Sequence, residues 1–236
     1  MKQEPIGPFR GFPKEAVQFF VDLTAHNDKK WFEAHKTDYE TFVLQPAKAF
    51  VAAVGVRLSK YAPDIQAIPS TNGSIFRIYR DTRFSKDKSP YKTHLGILWW
   101  EGPREKMESP SFYFQLEPPT IGLGGGVYCF SKPLLEAYRE AVVHPKAGKE
   151  LVKAAEKTKK EGFALGGEKY KKTPRGYDPA HSNAPYLLHD GLYAWHEEKI
   201  SKAVHGPEFV DLVVERFKGM LPLHRWLLEM VKGIGG

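Results

Sequence analysis

Residues 74–80, Ser74-Ile75-Phe76-Arg77-Ile78-Tyr79-Arg80, carry the change of rhythm that decides the fold. Phe76 and Ile78 alternate with Arg77 and Tyr79. A period of two predicts a half-buried strand, apolar on one face and polar on the other. Everything upstream repeats helically. Pro13 opens a first helix striped with Ala16, Val17, Phe19, Phe20 and Leu23. Asn27 or Asp28 caps a second, bearing Trp31, Phe32, His35, Tyr39, Phe42 and Val43 and ending before Pro46. Pro46 starts a third, on Phe50, Val51, Val54 and Leu58, that stops at Tyr61-Ala62-Pro63. Downstream, Gly96–Trp100, Ser111–Leu116, Ile121–Leu123 with Val127–Phe130, and Leu192–His196 read as strands. Gly102-Pro103 and Pro118-Pro119 separate the earlier ones by short turns, which favours antiparallel connections. Helices return at Lys132–Val143 and, more polar, at Lys146–Lys160. Phe163–Pro185 reads as loop. A final amphipathic helix from Pro207 is expected to kink or split at Gly219 and Pro222. Helices, then strands, then helices describe a single α+β domain over residues 1–236: N-terminal helices, a central, mostly antiparallel sheet and C-terminal helices.

Composition narrows the classes. With 42% hydrophobic and 27% charged side chains in 236 residues, the chain is neither disordered nor collagen-like. Cys129 has no cysteine to pair with, which excludes an internal disulfide and fits a reducing cytoplasm. The first thirty residues lack the apolar core and cleavage site of a secretory leader. No run of about 18 apolar residues is unbroken, so no membrane span is expected.

The formal charge of +7 is concentrated rather than spread. Residues 74–94 hold six Lys or Arg against two Asp, a balance of +4. Residues 153–175 hold eight against three Glu, a balance of +5. Clustered cations raise the local concentration of an anionic ligand. The first cluster is the more informative, because a strand aims its side chains. Arg77 and Arg80 lie on opposite faces of a regular strand and converge only if it bulges or ends near Tyr79. Arg83, Lys86, Lys88 and Lys92 gather around the loop that follows, where guanidinium forks suit phosphate or carboxylate oxygens. The competing reading pairs Asp81 with Arg83 or Arg77, and Asp87 with Lys86 or Lys88, in a salt-bridged surface turn. The second cluster, on a polar helix and a loop, reads as a solvated face.

The run Phe76-Arg77-Ile78-Tyr79-Arg80-Asp81-Thr82-Arg83-Phe84-Ser85-Lys86-Asp87-Lys88, followed by Pro90-Tyr91-Lys92-Thr93-His94, resembles the signature of a conserved bacterial and fungal family, domain of unknown function 2461. Asn27…Trp31-Phe32…Tyr39…Pro46, Gly124-Gly125-Gly126 and Leu165…Tyr177 agree with it, so the resemblance spans nearly the whole chain. It implies a single intracellular α+β domain and adds weight to residues 76–94. It implies no reaction.

Other motifs lead elsewhere. Gly122–Gly126 is followed by strand rather than by Gly-Lys-Ser/Thr and a helix, so a close backbone crossing fits better than a phosphate cradle. No His-Glu-x-x-His occurs, and no metal site is expected. Cys129, between Tyr128 and Phe130, reads as a buried structural thiol. His181, His189 and His196 read as scattered surface histidines that could instead form a second pocket wall. Nothing specifies a cofactor. The reading that emerges is an anionic small molecule, carrying phosphate or carboxylate, bound at 77–94. Arg77, Arg80, Arg83, Lys88 and Lys92 hold it, Tyr79 and Tyr91 orient it, and Asp81 with His94 are the candidates for proton transfer. Two alternatives use the same residues: a nucleic-acid-binding module, with Tyr79, Tyr91, Trp99 and Trp100 stacking bases, and a non-catalytic scaffold or interaction protein.

Overall fold

A computed structural model describes residues 6–233. In chain order it contains α1 (Lys14–Ala25), α2 (Lys29–Ala34), α3 (Lys36–Asp38), a π turn (Tyr39–Leu44), α4 (Gln45–Leu58), β1 (Leu95–Trp100), β2 (Ser111–Glu117), β3 (Thr120–Val127), α5 (Lys132–Val143), α6 (Ala147–Lys160), β4 (Ala164–Glu168), β5 (His189–Lys199) and α7 (Phe209–Lys232). The strands form one antiparallel sheet in the order β1-β2-β3-β5-β4. The expected α+β class is what the chain adopts. Packing divides the described residues into two units. Among them one comprises 6–99, 113–122 and 197–215, the other 100–112, 123–196 and 216–233. Strands β1, β2, β3 and β5 and helix α7 each belong partly to one and partly to the other.

In the first unit, Pro13 stands at the N-cap of α1, and Asp28 caps α2 by accepting the Trp31 N–H at 2.9 Å. Pro46 opens α4 but does not separate it from what precedes: the π turn leads straight in, because a first-turn proline lacks only an N–H that the preceding wide turn can leave unbonded. The resulting stretch Lys36–Leu58 is long and apolar enough to cross a membrane by length and composition alone. Here it is a core helix, with Val43, Ala47, Phe50, Val51, Val54 and Leu58 fully buried. Phe50 packs on Phe12, Trp99, Phe114 and Phe209, ring centroids 5.1–5.8 Å apart, and the Trp99 indole N–H donates to the Val51 carbonyl at 3.0 Å. Burial pushes the Tyr39 hydroxyl up to about 12.

In the second unit, α7 runs unbroken through Gly219 and Pro222, against the expected split. Its Phe217 and His224 lie on Phe112, at 5.1 and 4.5 Å. His224 Nε2 meets Glu101 Oε2 at 2.7 Å, both groups buried, and His224 Nδ1 has no partner. From α5, Tyr138 packs on Phe130 and Trp226 and donates to the Tyr186 carbonyl; burial raises its hydroxyl pKa well above the ordinary value. Strand β4 falls where loop was expected. Gly166 and Gly167 mask it in the sequence, yet a side chain at Gly166 would collide with the Tyr193 ring at 2.4 Å. Cys129 is exposed on the bend after β3, because that strand ends at Val127 instead of continuing to Phe130.

The glycine run is part of a single strand, β3, and its close approaches explain it. A Cβ at Gly125 would stand 2.8 Å from Met220 Sδ, and one at Gly126, whose φ is +137°, would stand 2.3 Å from the Leu192 carbonyl oxygen. Gly126→Ala is therefore expected to lose roughly 2–4 kcal/mol of stability from backbone strain and overpacking together, measured by urea unfolding; an unchanged midpoint would refute the close-crossing account.

Candidate functional site

Residues 74–80 run antiparallel to 90–98 as an irregular hairpin rather than as a strand of the sheet. Ile75 bridges Ile97 and Tyr79 bridges Tyr91. Four steps along one side thus oppose six along the other, and Thr93-His94-Leu95 bulge opposite Arg77. The hydrogen bonds locate the slip, with Phe76 N–H donating to Gly96 O at 3.0 Å on one side and Lys92 N–H to Ile78 O at 2.7 Å on the other. Bulges re-aim side chains, and this one sets Lys92 within reach of both Arg77 and His94. The alternation read from the sequence survives: Ile78 is buried while Arg77 and Tyr79 are exposed.

The hairpin base is tied to the α1–α2 corner. Asn27 Nδ2 donates to the Tyr91 carbonyl at 3.0 Å and Asn27 Oδ1 accepts the Tyr91 N–H at 3.1 Å, as a neighbouring strand would. The Tyr91 ring stacks on Phe32 at 4.2 Å and meets Tyr79 at 5.3 Å. Tyr91 is thus a buried anchor, and only Tyr79 of the two expected orienting tyrosines offers a free surface.

The predicted anion-holding residues separate into two groups. At the tip they are used internally. Arg80 Nη1 lies 2.5 Å from Asp87 Oδ2 and donates to the Ser89 carbonyl, while Arg83 holds Asp81 with two side-chain bonds, at 3.0 and 2.7 Å. Lys88 Nζ donates to the Thr82 carbonyl at 2.9 Å. Hydrogen bonds from the Ser89 side chain and backbone, then from Arg80, hold the Asp87 carboxyl down to about 2; those from Arg83 hold Asp81 below its usual range. Asp81 is accordingly occupied by Arg83 and is not joined to His94. The carboxylate acting on His94 is Glu117 of β2, whose approach no local sequence signal could have shown.

At the base the cations stay available. Arg77 and Lys92 have no carboxylate within ion-pair distance among the described residues. Burial, and then the Arg77 charge, lower the Lys92 pKa; its ammonium sits 5.3 Å from the Phe76 ring centroid. Burial lowers His94 as well, opposed by Glu117 and reinforced by Lys92. Beside them β2 presents a hydrogen-bonded row: Tyr113 donates to Gln115 Oε1 at 2.9 Å, and Gln115 Nε2 to Glu117 Oε2 at 2.5 Å.

The family model of the conserved hypothetical proteins DUF2461 matches residues 15–226. The chain belongs to the DUF2461 family. No curated protein matches it. Within this DUF2461 chain the second basic cluster is differently placed: Lys153, Lys157 and Lys160 line a 450 Å³ cleft with Ala154, Glu156 and Pro222, and Lys169 pairs with Asp190. Trp99 belongs to the core, which removes it from the rings expected to stack nucleobases there. His189 is buried with Nδ1 unpartnered, and His181 Nδ1 accepts the Asn183 N–H. Among the described residues no three His, Cys, Asp or Glu side chains gather as a metal site.

Two outcomes check this geometry. Asn27→Ala leaves the buried Tyr91 backbone unpaired and should cost about 1–3 kcal/mol in thermal or urea unfolding; no loss would refute the clamp. The Asp87 carboxyl should titrate by NMR with a midpoint of about 2 and move upward in Ser89→Ala. Because folding depresses this pKa, its contribution is present above the ordinary carboxylate value of 3.8 and fades as pH falls through about 2.

Proposed function

We propose that the protein binds a small anion, bearing phosphate or carboxylate, at the bulge where Lys92 neighbours both Arg77 and His94. The observation that carries this reading is the Lys92 ammonium, half-buried beside a second cation and lowered in pKa by both burial and Arg77. Two like charges held together are unfavourable until an anion joins them. The Arg77 fork suits two oxygens of one phosphate or carboxylate, and Lys92 adds a compact charge. His94, kept toward its neutral form, supplies a ring N–H. Tyr113, Gln115 and Glu117 form a polar row suited to the uncharged part of the ligand. Any proton transfer here falls to His94 with Glu117 rather than to Asp81.

The scaffold reading draws on a different observation, the internal pairing of Arg80 and Arg83. The two readings separate cleanly by residue. Titrating inorganic phosphate by calorimetry, Arg77→Ala and Lys92→Ala should each weaken binding about tenfold or more, the loss of one charge-assisted hydrogen bond. Arg80→Ala should leave the affinity unchanged. Bound phosphate should raise the His94 imidazole pKa, since a nearby anion favours the imidazolium. Phosphate affinity unaltered in both Arg77→Ala and Lys92→Ala would overturn the proposal in favour of the scaffold.

A further inference from the structure

Phe84 is 95% exposed, more than any other large apolar side chain among the described residues. It occupies the third position of the turn Thr82–Ser85, which the Ser85 N–H closes on the Thr82 carbonyl at 3.3 Å. Turn geometry asks for no aromatic there, and an apolar ring left in water contributes nothing to folding. The loop carrying it is nevertheless held from inside: Arg80 to Asp87, Asp81 to the side chain and backbone of Arg83, Lys88 to the Thr82 carbonyl. Such bracing reduces the ordering lost when a ligand docks. Its two carboxylates are both engaged with arginines, while Lys86 and Lys88 are exposed and have no acid within ion-pair distance. The Arg83 guanidinium lies 5.7 Å from the Phe84 ring centroid. Tyr79, 48% exposed, stands five residues away on the same hairpin, at most about 18 Å along the chain.

We propose that this hairpin tip is a docking site for single-stranded nucleic acid, with one base stacked on Phe84, a nearby base on Tyr79, and Lys86 and Lys88 on the phosphates. Exposed rings interleaved with cations are the two elements that sequence-tolerant single-strand binding needs. A duplex offers no free base face to either ring. A bilayer fits less well, because inserting Phe84 would carry the adjacent Arg83–Asp81 pair out of water, whereas a stacked base leaves that pair hydrated. The site uses side chains other than Arg77, Lys92 and His94 and stands or falls without them.

The test is fluorescence anisotropy with a labelled oligothymidylate of about twelve nucleotides, the same length as a duplex, and vesicles of phosphatidylcholine with phosphatidylserine. The single strand should bind more tightly than the duplex. Phe84→Ala, at a position 95% exposed, should keep its thermal midpoint and bind about tenfold more weakly. Lys86→Ala and Lys88→Ala should each flatten the slope of log affinity against log salt by about 0.7. Lys153→Ala on α6, which removes the same charge, should leave the affinity unchanged. Oligothymidylate affinity equal in wild type and Phe84→Ala overturns the proposal. So does a Phe84→Ala chain that loses vesicle binding while holding the oligonucleotide as before.

Discussion

The paired hydrogen bonds between the Asn27 side chain and the Tyr91 backbone are the constraint on which the candidate site in the first unit depends. A two-stranded hairpin with an irregular ladder is only marginally stable by itself. Asn27 substitutes for a missing neighbour strand, and the Phe32 ring stacked on Tyr91 closes the same corner with apolar contact. With Tyr91 pinned there and Ile75 pinned on β1, the surplus residues between them have one place to go, the bulge opposite Arg77. The approach of Lys92 to Arg77 follows from that fixed difference in length.

The same hairpin sorts its cations by distance from this anchor. Near the tip each arginine has an acid close in the chain, Asp87 seven residues from Arg80 and Asp81 two from Arg83, and the turn brings them together locally. Exposed pairs of this kind contribute little to global stability, but they hold a loop in one shape. Near the base, the chain places its cations against rings and against each other. A net charge of the segment cannot distinguish the two situations, since it counts Arg83 and Lys92 equally.

The buried His224–Glu101 pair shows the opposite regime in the second unit. Both groups are removed from water, so their 2.7 Å contact and the Phe112 ring across the imidazole set how α7 seats on β2. Removing one partner would leave the other uncompensated, which is where a buried pair exerts its largest effect. Nothing near Glu101 or His224 in the chain announces the pairing, because 123 residues separate them.

Local rules determined a good deal of this protein from the sequence by itself. Proline at a helix start, an aspartate cap, periods of 3.6 and two, and a glycine run packed too tightly for side chains all act within a few residues, so α1, α2, α4, α5, α6 and most of β1, β2, β3 and β5 were legible. The salt-bridged turn was legible too, as one of two readings. Tertiary structure alone decided the rest, because it depends on which distant backbones meet. Gly166 and Gly167 look like loop until β5 lies beside them, Gly166 opposite Tyr193 and Gly167 at the irregularity that follows; Pro222 looks like a break until α7 continues through it; Cys129 looks buried until β3 ends at Val127. Glu117 reaches His94 only because β2 lies beside β1, and Lys92 reaches Arg77 only because a bulge absorbs the difference between two anchored ends.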